Sequence, residues 1–179
     1  MISQSDAEKL VIFIAHQLNT FVFERTQIDF CCLSSSDQLI IPDDTGSKET
    51  TIDLSRFGSM KLFSCGDFAL TKVRSVMFHD LNQLLSIRIG SNSFTLRKYS
   101  VSNQNGTLVI RNCSSLKEIT IGEYSFSDYS SLVLSDLVSL QTISISSQAF
   151  SYANSFSLTR RRIVMISNRA SISSVDLFW

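Results

Sequence analysis

Two histidines are the side chains in this sequence best suited to acid–base or metal chemistry. His79 is followed directly by Asp80, and a histidine beside a carboxylate could act as a general base or supply two metal ligands. Aspartate or asparagine recurs at the position of Asp80 in the repeats described below, so we interpret this pair as part of a turn. His16 has a threonine at the fourth position after it, so a helix would give it no second ligand on the same face.

The serines and cysteines show no pattern typical of a nucleophile or a metal site. Serine is abundant throughout the chain, but none of the serines lies in a GxSxG sequence or beside a paired base. The cysteines lack CxxC spacing, and we predict buried free thiols at Cys31, Cys32, Cys65 and Cys113. The sequence therefore predicts that the protein is not an enzyme and has no catalytic residue, cofactor or metal site.

The charge balance argues against two broad classes of binding protein. The 179 residues carry 16 basic and 16 acidic side chains, for a formal net charge of zero. A general binder of nucleic acid or of an anionic membrane surface would need a basic face. The run Arg160, Arg161 and Arg162 is too short for a nucleic-acid stripe. We interpret it as a solvated turn, with a contact to an acidic partner as the alternative.

The sequence shows no targeting signal that identifies the cellular compartment. The N-terminus has no positive start and only a short apolar run, which does not match a secretory signal. No stretch approaches the roughly 20 apolar residues of a membrane span, so no membrane insertion is expected. The default is a cytosolic protein, and a cell-surface location is the alternative if the chain is a fragment. Glycosylation sequons begin at Asn105 and Asn112, and whether they are used is left open.

A repeated strand pattern is the strongest signal in the chain. An apolar residue, two variable residues and then two alternating apolar positions precede a glycine or serine, and this segment recurs at a regular interval that is longer only once. The four copies are Met60–Gly66, Leu84–Gly90, Leu116–Gly122 and Leu140–Ser146. At the fourth position after the glycine or serine each copy has a large apolar side chain: Leu70, Phe94, Phe126 and Phe150. This alternation predicts a strand with one buried face in each copy.

A second alternating pair follows in every copy and predicts a second strand. The pairs are Val76/Phe78, Leu108/Ile110, Leu132/Leu134 and Phe156/Leu158. The copies end at Asp80, Asn112, Asp136 and Arg160, of which the first three can form Asx-turns. We therefore divide the chain into an N-terminal helix and strand cap (1–56), four repeats (57–80, 81–112, 113–136 and 137–160) and a degenerate last repeat or C-terminal cap (161–179). The second repeat is longer than the others, and we place its extra residues in the loop from Thr95 to Gly106.

The repeats are expected to stack, because no single copy can bury its own apolar columns. Equivalent strands then form two parallel ladders, in a solenoid that is mostly β with two short parallel strands per repeat. Gly66, Gly90 and Gly122 end the first strands, where we predict tight turns with positive φ. Many of the serines, Ser125 among them, are expected at outward or turn positions.

The pattern LxxIxIGxxxF, as in Leu84–Phe94 and Leu116–Phe126, resembles the BspA-like class of leucine-rich repeats. The trailing pairs Ser93-Phe94, Ser125-Phe126 and Ala149-Phe150 match that class as well. The resemblance covers about residues 57–160 and implies a leucine-rich-repeat solenoid that takes part in protein–protein interaction, with no catalytic residues to transfer. The commoner leucine-rich repeat has an asparagine shortly after its first strand. This chain has Phe68, Asn92, Tyr124 and Gln148 there, so no asparagine ladder is expected.

The two ends of the chain depart from the repeat frame. A capping box from Ser5 to Glu8 predicts a helix over about residues 6–19, followed by strands at Gln27–Leu33 and Gln38–Ile41. We interpret this region as a cap on the first repeat, and the alternative is an unrelated small domain. At the other end the frame assigns inward positions to Val164, Ser167 and Arg169, of which two are polar. We expect an irregular cap there, or a truncated array whose exposed edge self-associates.

The outward positions of the first strands supply the candidate binding residues. One row contains Ser86, Glu118 and Thr142, and the next contains Arg88, Thr120 and Ser144. With these six residues we predict a non-catalytic protein–protein interaction module or scaffold, whose protein partner is unknown. The alternative is a structural piece of a larger repeat array with no binding role of its own.

The surfaces available for binding are small. Four strands offer a face of about 200 Å², against roughly 800 Å² per partner in a stable complex, so flanking loops or a longer array would have to contribute. On the second ladder the outward residues Met77, Val109 and Val133 are apolar. The extra loop could cover them, or they could form a docking surface.

Overall fold

The computed structural model describes residues 36–95 and 106–151, together with the segments 20–22, 27–28, 153, 155–159, 164–167 and 176–178. These residues form fifteen short strands and no helix. The strands are β1 (Thr20–Val22), β2 (Gln27–Ile28), β3 (Gln38–Ile41), β4 (Gly46–Ser47), β5 (Thr51–Asp53), β6 (Leu62–Cys65), β7 (Ser75–His79), β8 (Ser86–Ile89), β9 (Gly106–Arg111), β10 (Glu118–Ile121), β11 (Tyr129–Ser135), β12 (Thr142–Ile145), β13 (Ser155–Thr159), β14 (Val164–Ser167) and β15 (Asp176–Phe178).

All strand pairs among the described residues are parallel, and the chain passes back and forth between two large sheets. The first sheet has the order β1-β3-β6-β8-β10-β12-β14, and the second has β15-β13-β11-β9-β7-β5. A short pair, β2 and β4, forms a third sheet. Because each successive turn of the chain adds a strand to both large sheets, the protein is a parallel β-solenoid. The predicted stacking of repeats into two parallel ladders is confirmed.

The repeat frame also sets the strand register. Ile87 on β8 lies opposite Ile119 on β10, which lies opposite Ile143 on β12, as their equivalent places in the repeat predict. We refer to the stacked turns of the chain as coil 1 (36–59), coil 2 (60–83), coil 3 (84–115) and coil 4 (116–139). Equivalent side chains of successive coils therefore form columns that run along the solenoid.

The core lies between the two sheets and is made from the inward columns. The recurrent phenylalanines stack nearly face to face, with ring centroids 4.7 Å apart for Phe94 and Phe126 and 5.1 Å apart for Phe126 and Phe150. Phe63 of the first sheet meets Phe78 of the second edge-on at 5.0 Å. Stacked and edge-to-face rings each add roughly 1 kcal/mol beyond the apolar area they bury. These rings join successive coils and also join the two sheets.

Residues 36–56 form a coil of the solenoid, so the repeats begin before residue 57. The predicted strand Gln38–Ile41 is confirmed, and it pairs in register with β6, the equivalent strand of the next coil. Thr51–Asp53 pairs in the same way with β7 of the second sheet. The expected helix at 6–19 lies outside the described residues, as does most of the expected strand Gln27–Leu33. Its first two residues, Gln27–Ile28, pair with Gly46–Ser47.

The strands after residue 160 continue both sheets with a shift in frame. Met165 lies opposite Ile143, in the place that the repeat frame assigned to Ser167. Ser167 lies opposite Ile145 and so has an inward register, although not opposite the residue that the frame assigned to it. Val164 lies opposite Thr142, so its predicted inward position is wrong, because the chain reaches the first sheet earlier than a full repeat would allow. Arg169 lies outside the described residues. Asp176–Phe178 extends the second sheet beside β13. The run from Arg160 to Arg162 lies outside the described residues.

Glycine is required at the ends of the first strands because there is no room for a side chain, and not because of the backbone conformation. The predicted positive φ at Gly66, Gly90 and Gly122 is wrong, because no described glycine has a positive φ. A Cβ built on Gly90 would lie 2.6 Å from the carbonyl carbon of Gly66 and would also overlap the Asp67 carboxylate. Successive coils approach too closely at this point to admit a side chain.

Positive φ is found instead at the second and fourth positions after the glycine. In coil 2 these residues are Phe68 (φ 57°) and Leu70 (φ 54°). The same two places are left-handed in the following repeats, at Asn92 and Phe94, Tyr124 and Phe126, and Gln148 and Phe150. We call this sharp bend, from the glycine to the phenylalanine position, the glycine corner.

Two buried serines hold the glycine corners together. The Ser93 hydroxyl donates to the carbonyl oxygen of Gly66 (2.6 Å) and accepts from the Ala69 N–H (3.1 Å). One coil later the Ser125 hydroxyl donates to the Gly90 carbonyl oxygen (2.6 Å) and accepts from the Ser93 N–H (3.0 Å). Ser125 lies in a turn, one of the two kinds of position predicted for it, but its side chain is fully buried and satisfies two backbone groups.

The extra residues of coil 3 are inserted between Thr95 and Gly106, as predicted. Phe94 is still in the ordinary frame, since its N–H donates to the carbonyl oxygen of Ala69, one coil before it, at 3.0 Å. Thr107 is back in the frame after the insertion, because it lies opposite Ser75 on the second sheet. Residues 96–105 lie outside the described part of the chain.

Tyr129 of coil 4 spans the coil that holds the insertion. A Cβ on Gly106 would touch the Tyr129 ring, so this glycine leaves room for the tyrosine. The Tyr129 hydroxyl passes beyond coil 3 and donates to the Val73 carbonyl oxygen of coil 2 at 2.8 Å. Arg74 and Asp128 make a parallel contact across the same coil, with Nη1 and Oδ2 3.3 Å apart.

Candidate interaction surface

The six candidate binding residues lie on three neighbouring strands of the first sheet. Ser86, Glu118 and Thr142 are directly opposite one another on β8, β10 and β12. Further along the same strands, Arg88, Thr120 and Ser144 form the second row. The residues between the rows are buried, so both rows point away from the core. The structure thus places all six residues on one face, which we call the six-residue face.

The charged centre of this face is loosely held. Arg88 Nη2 is 3.6 Å from Glu118 Oε2, and the two side chains are 58% and 42% exposed. The Thr120 hydroxyl donates to the other oxygen of Glu118 at 3.3 Å. An exposed ion pair of this kind contributes about 0–1 kcal/mol to folding. Both charges can therefore exchange partners at little cost to the fold.

A basic row borders the face at the beginning of the strands. It contains Lys61, Leu85 and Lys117, all exposed. Lys61 Nζ is paired with Asp37 of the preceding coil at 2.8 Å. Leu85 is 41% exposed between the two lysines.

The extent of the sheet limits what the flat face can bind. Seven strands at about 4.8 Å spacing and about 10 Å of strand length give a face of about 300 Å². This exceeds the estimate made from four strands, but a stable complex needs roughly 800 Å² per partner. A partner bound here would also have to contact the corners of the solenoid.

His79 lies between two carboxylates. Its Nδ1 is 2.8 Å from Asp80 Oδ2, and its Nε2 is 3.1 Å from Asp53 Oδ1. Asp80 also accepts a hydrogen bond from the Asn112 side chain. A carboxylate lies within hydrogen-bonding distance of each ring nitrogen, and this arrangement favours the protonated imidazole. Within the described residues no group of three or more His, Cys, Asp or Glu side chains is arranged to hold a metal ion.

The ionisation of this cluster follows from its hydrogen bonds. The bonds to Asp80 and Asp53 raise the pKa of His79 above its ordinary value. The bonds from His79 and Asn112 lower the pKa of Asp80. Burial opposes ionisation of Asp53, but hydrogen bonds from Ser55 and His79 lower its pKa overall. His79 and Asp53 therefore join coils 1 and 2, and the hydrogen bond from Asn112 to Asp80 joins coil 3 to them. Asp80 keeps its predicted turn role with φ 60°.

The remaining chemical candidates are the cysteines and the sequon asparagines. Cys65 and Cys113 are buried free thiols, as predicted, and burial raises the pKa of Cys113 to about 11. Cys31 and Cys32 lie outside the described residues. Asn112 of the second sequon is exposed at a turn with φ 49°. Asn105 of the first sequon lies in the insertion outside the described residues.

The apolar outward column of the second sheet is half-buried. Met77, Val109 and Val133 stack in register, followed by Ser157 on β13. The loop that was considered as a cover for this column lies outside the described residues. Both interpretations of the column, a covered surface and a docking surface, remain predictions.

One pair of exposed aromatic residues was not predicted from the sequence as a binding candidate. Phe68 and Tyr124 were identified only as positions that break an asparagine ladder. These two residues are 42% and 43% exposed, at equivalent places on the glycine corner. The repeat alignment held the signal, because an aromatic residue twice occupies a place that asparagine occupies in coil 3.

No family model, curated protein or solved structure was found to match the chain. The part of the chain that the structure describes has no helix with the length and apolar character needed to cross a membrane.

Proposed function

We propose that this protein is a non-catalytic protein–protein interaction module or scaffold, and that it binds its partner through the six-residue face. The observation that carries the proposal is the register of the two rows, which aligns polar side chains from successive coils on a rigid sheet. The strands fix the backbone of the binding residues before the partner arrives, so little backbone entropy is lost on association, although the Arg88 and Glu118 side chains would still have to be ordered.

The composition of the face supports a polar contact. Arg88 and Glu118 supply one charge of each sign, and hydroxyl groups from Ser86, Thr120, Thr142 and Ser144 surround them. Charged groups at the rim of an interface set its register and its specificity more than its affinity. A partner with a complementary charge pair would exchange the weak Arg88–Glu118 contact for two intermolecular ones.

We also propose that the repeats belong to the BspA-like class of leucine-rich repeats. The support is the LxxIxIGxxxF pattern, in which the strand ends at the glycine and the phenylalanine closes the corner. The short, regular coil and the parallel first sheet agree with a leucine-rich repeat. In that class the repeat surface serves protein recognition.

A second candidate is a structural piece of a larger array with no binding role of its own. The limited area of the flat face, about 300 Å², favours it. The described outward positions of β6, β8, β10 and β12 hold no exposed aromatic ring. Because such rings supply much of the binding energy in most interfaces, this also favours the structural alternative.

The test compares two variants of the full chain that each leave the net charge unchanged. The first carries Arg88→Ala with Glu118→Ala, and the control carries Lys48→Ala with Glu49→Ala in the loop after β4. Each protein is immobilised on beads and incubated with an extract of its source cells. The captured proteins are then quantified by mass spectrometry. We expect a set of proteins that both the native chain and the control capture. The amount of these proteins captured by the first variant should be at least tenfold lower.

A direct measurement completes the test. The strongest member of that set is purified, and its Kd is measured for all three chains together with their free energies of unfolding. Equal unfolding free energies with a weakened Kd only in the first variant support binding through the face. Capture that is the same for all three chains would support the structural alternative.

A further inference from the structure

One row of the glycine corner is left-handed in five successive turns of the chain. It consists of Asp44, Phe68, Asn92, Tyr124 and Gln148, with φ between 57° and 59°. Each N–H in the row from Asp44 to Tyr124 donates to a carbonyl oxygen of the next coil, at 2.7 to 3.1 Å. The corner geometry therefore imposes this conformation on whatever residue occupies the row.

Two members of the row are aromatic and exposed. The other aromatic side chains in 36–95 and 106–151, namely Phe57, Phe63, Phe78, Phe94, Phe126, Phe150 and Tyr129, are at most 1% exposed. Phe68 and Tyr124 are 42% and 43% exposed. The exposed rings of these two ranges thus fall at one repeated position, two coils apart.

The backbone conformation of this row does not favour an aromatic residue. A residue with a Cβ in the left-handed region costs about 1–2 kcal/mol, and asparagine tolerates that region better than an aromatic residue. Asn92 shows that asparagine fits the same place in the intervening coil. Aromatic residues are enriched in interface hot spots, so an exposed ring at this position indicates a binding surface.

The residues directly before the rings determine the charge of this edge. That row contains Asp43, Asp67, Ser91, Glu123 and Ser147. Asp43 Oδ1 accepts the Asp67 N–H at 2.7 Å, and Asp67 Oδ1 accepts the Ser91 N–H at 2.6 Å. These bonds fix the two aspartate carboxylates at the surface, where Asp43, Asp67 and Glu123 are all exposed.

The edge is acidic although the chain as a whole is neutral. With Asp44, the two rows hold four acidic side chains and no basic one among their described members. The nearest described basic residues in the chain, Lys48 and Lys72, lie further along the corner. A partner that fits these rows therefore carries positive charge.

We propose that the edge formed by Asp67, Phe68, Glu123 and Tyr124 binds a basic, arginine-containing segment of a partner protein. We call these four residues the aromatic corner. An arginine guanidinium stacks on an aromatic face and can also form a two-pronged bond with a carboxylate. The aromatic corner presents this combination twice, because each ring is preceded by an acidic residue.

The spacing of the two rings defines the segment more closely. Two coil steps of about 4.8 Å place equivalent atoms of Phe68 and Tyr124 about 10 Å apart along the solenoid. A polyproline II helix has about three residues per turn and a rise of about 3.1 Å, so residues i and i+3 lie on one side about 9 Å apart. The expected ligand is an extended segment with arginines at positions i and i+3 that lies along the corner.

The proposal goes beyond the proposed function, because the aromatic corner lies outside the six-residue face. Failure of the Arg88 and Glu118 variant to lose partners would not affect it. Failure of the experiment below would leave the six-residue face untouched.

The test uses two fluorescein-labelled peptides and the full chain. The first peptide, GPRPPRPG, has arginines at i and i+3, and the control, GPEPPEPG, has glutamates at the same places. Fluorescence anisotropy is measured at low salt and again with added sodium chloride. We expect the arginine peptide to bind with a Kd below about 1 mM, to weaken with salt, and to bind at least tenfold more tightly than the control.

Two sets of variants locate the binding. Phe68→Asn with Tyr124→Asn removes both rings and keeps a residue suited to the left-handed conformation, so this protein should stay folded. We expect it to lose about tenfold or more in affinity, on the basis of two cation–π contacts. Asp67→Asn with Glu123→Gln keeps the hydrogen-bond acceptors and removes the charge, and it should weaken binding and reduce the effect of salt. Leu85→Asn, which removes another exposed apolar side chain, should leave the Kd unchanged.

Three outcomes would overturn the proposal. The first is no binding of the arginine peptide at millimolar concentration. The second is equal binding by the native chain and the asparagine variant. The third is a concentration-dependent dimer in sedimentation velocity that the asparagine variant abolishes, because this would assign the aromatic corner to a second copy of the chain.

Discussion

The solenoid turns twice in every coil, and the two bends are built differently. At the glycine corner the chain is constrained from within, by backbone contact at Gly90 and by the buried hydroxyls of Ser93 and Ser125. We call the opposite bend, which begins at Asp80 in coil 2, the aspartate corner. There the left-handed residues are Asp80, Asn112 and Asp136, whose short polar side chains tolerate that conformation by themselves.

The difference shows how the same backbone conformation arises from two causes. At the aspartate corner the residue type favours the left-handed region, so the bend is encoded locally. At the glycine corner Phe68 and Phe94 adopt it at φ 57° and 56° although their own preference is against it. Stacking of the coils enforces the conformation there. Mutations should therefore act through packing at one corner and through backbone preference at the other.

The largest expected effect is from Gly90→Ala at the glycine corner. The added methyl group would lie 2.6 Å from the Gly66 carbonyl carbon, so coils 2 and 3 would have to separate. We expect a loss of about 3 kcal/mol in the free energy of unfolding, measured by urea denaturation. Gly58→Ala is the matched control, since a Cβ there has no neighbour within 4 Å. A Gly90→Ala protein as stable as the control would contradict close packing at this corner.

The next effect is expected from Ser125→Ala. The change leaves the Gly90 carbonyl oxygen and the Ser93 N–H without their buried partner. We expect a loss of about 1–3 kcal/mol in the same measurement. Ser114→Ala removes an exposed hydroxyl that donates to Asn82 at 2.9 Å, and it should change stability by less than about 0.5 kcal/mol. Equal effects of the two substitutions would show that the buried serines do not hold the corner.

A smaller effect is expected from Asp136→Ala at the aspartate corner. Alanine has no side chain to favour φ near 55°, and the cost should be about 1 kcal/mol. Asp136→Gly, which has no such penalty, should be within a few tenths of a kcal/mol of the native chain. If alanine and glycine were equally damaging, the Asp136 side chain itself would stabilise this bend.

The smallest effect is the pH dependence that His79 contributes at the aspartate corner. Because the pKa of His79 is higher in the folded state, its contribution to stability is complete below the unfolded pKa and is lost as the pH rises through the folded value. The lowered pKa of Asp53 and of Asp80 acts in the opposite direction, and those contributions are lost in acid. Unfolding free energies measured from about pH 5.5 to 8.5 should fall with pH for the native chain, and His79→Gln should reduce that slope. His16→Gln is the control for the other histidine, and an unchanged slope in His79→Gln would rule out the raised pKa.

The strand frame could be predicted from the sequence because it depends on a repeated pattern of apolar residues. Ile87, Ile119 and Ile143 lie opposite one another as the alignment requires. Coil 1 was missed as a coil because Pro42 replaces the glycine and Gly46 replaces the phenylalanine in that frame. The frame after residue 160 was displaced because the chain between β12 and β14 is shorter than a full repeat, a change that no single motif signals.

Contacts between coils could not be predicted in this way. Gly66, Gly90 and Gly122 were expected to have positive φ because glycine favours that conformation in turns. The close approach of the next coil, which is the actual reason for glycine there, cannot be inferred from a single sequence. The turn position of Ser125 could be predicted but its burial could not, because its partners, Gly90 and Ser93, come close only after stacking. The six candidate binding residues were placed on one face correctly, since facing positions follow from alternation alone. Their role in binding remains a prediction.

The hydroxyl of Tyr129 has a consequence for how the solenoid opens. In a linear array in which each repeat contacts only its neighbours, coils can come apart one at a time from an end. The Tyr129 bond to Val73 and the contact of Arg74 with Asp128 connect coils 2 and 4 directly. Coil 3 therefore cannot loosen without breaking contacts on both sides of it, and in native-state hydrogen exchange the amides of β7, β9 and β11 should share one opening free energy. The coil that carries the insertion is thereby expected to open together with the coils on either side of it.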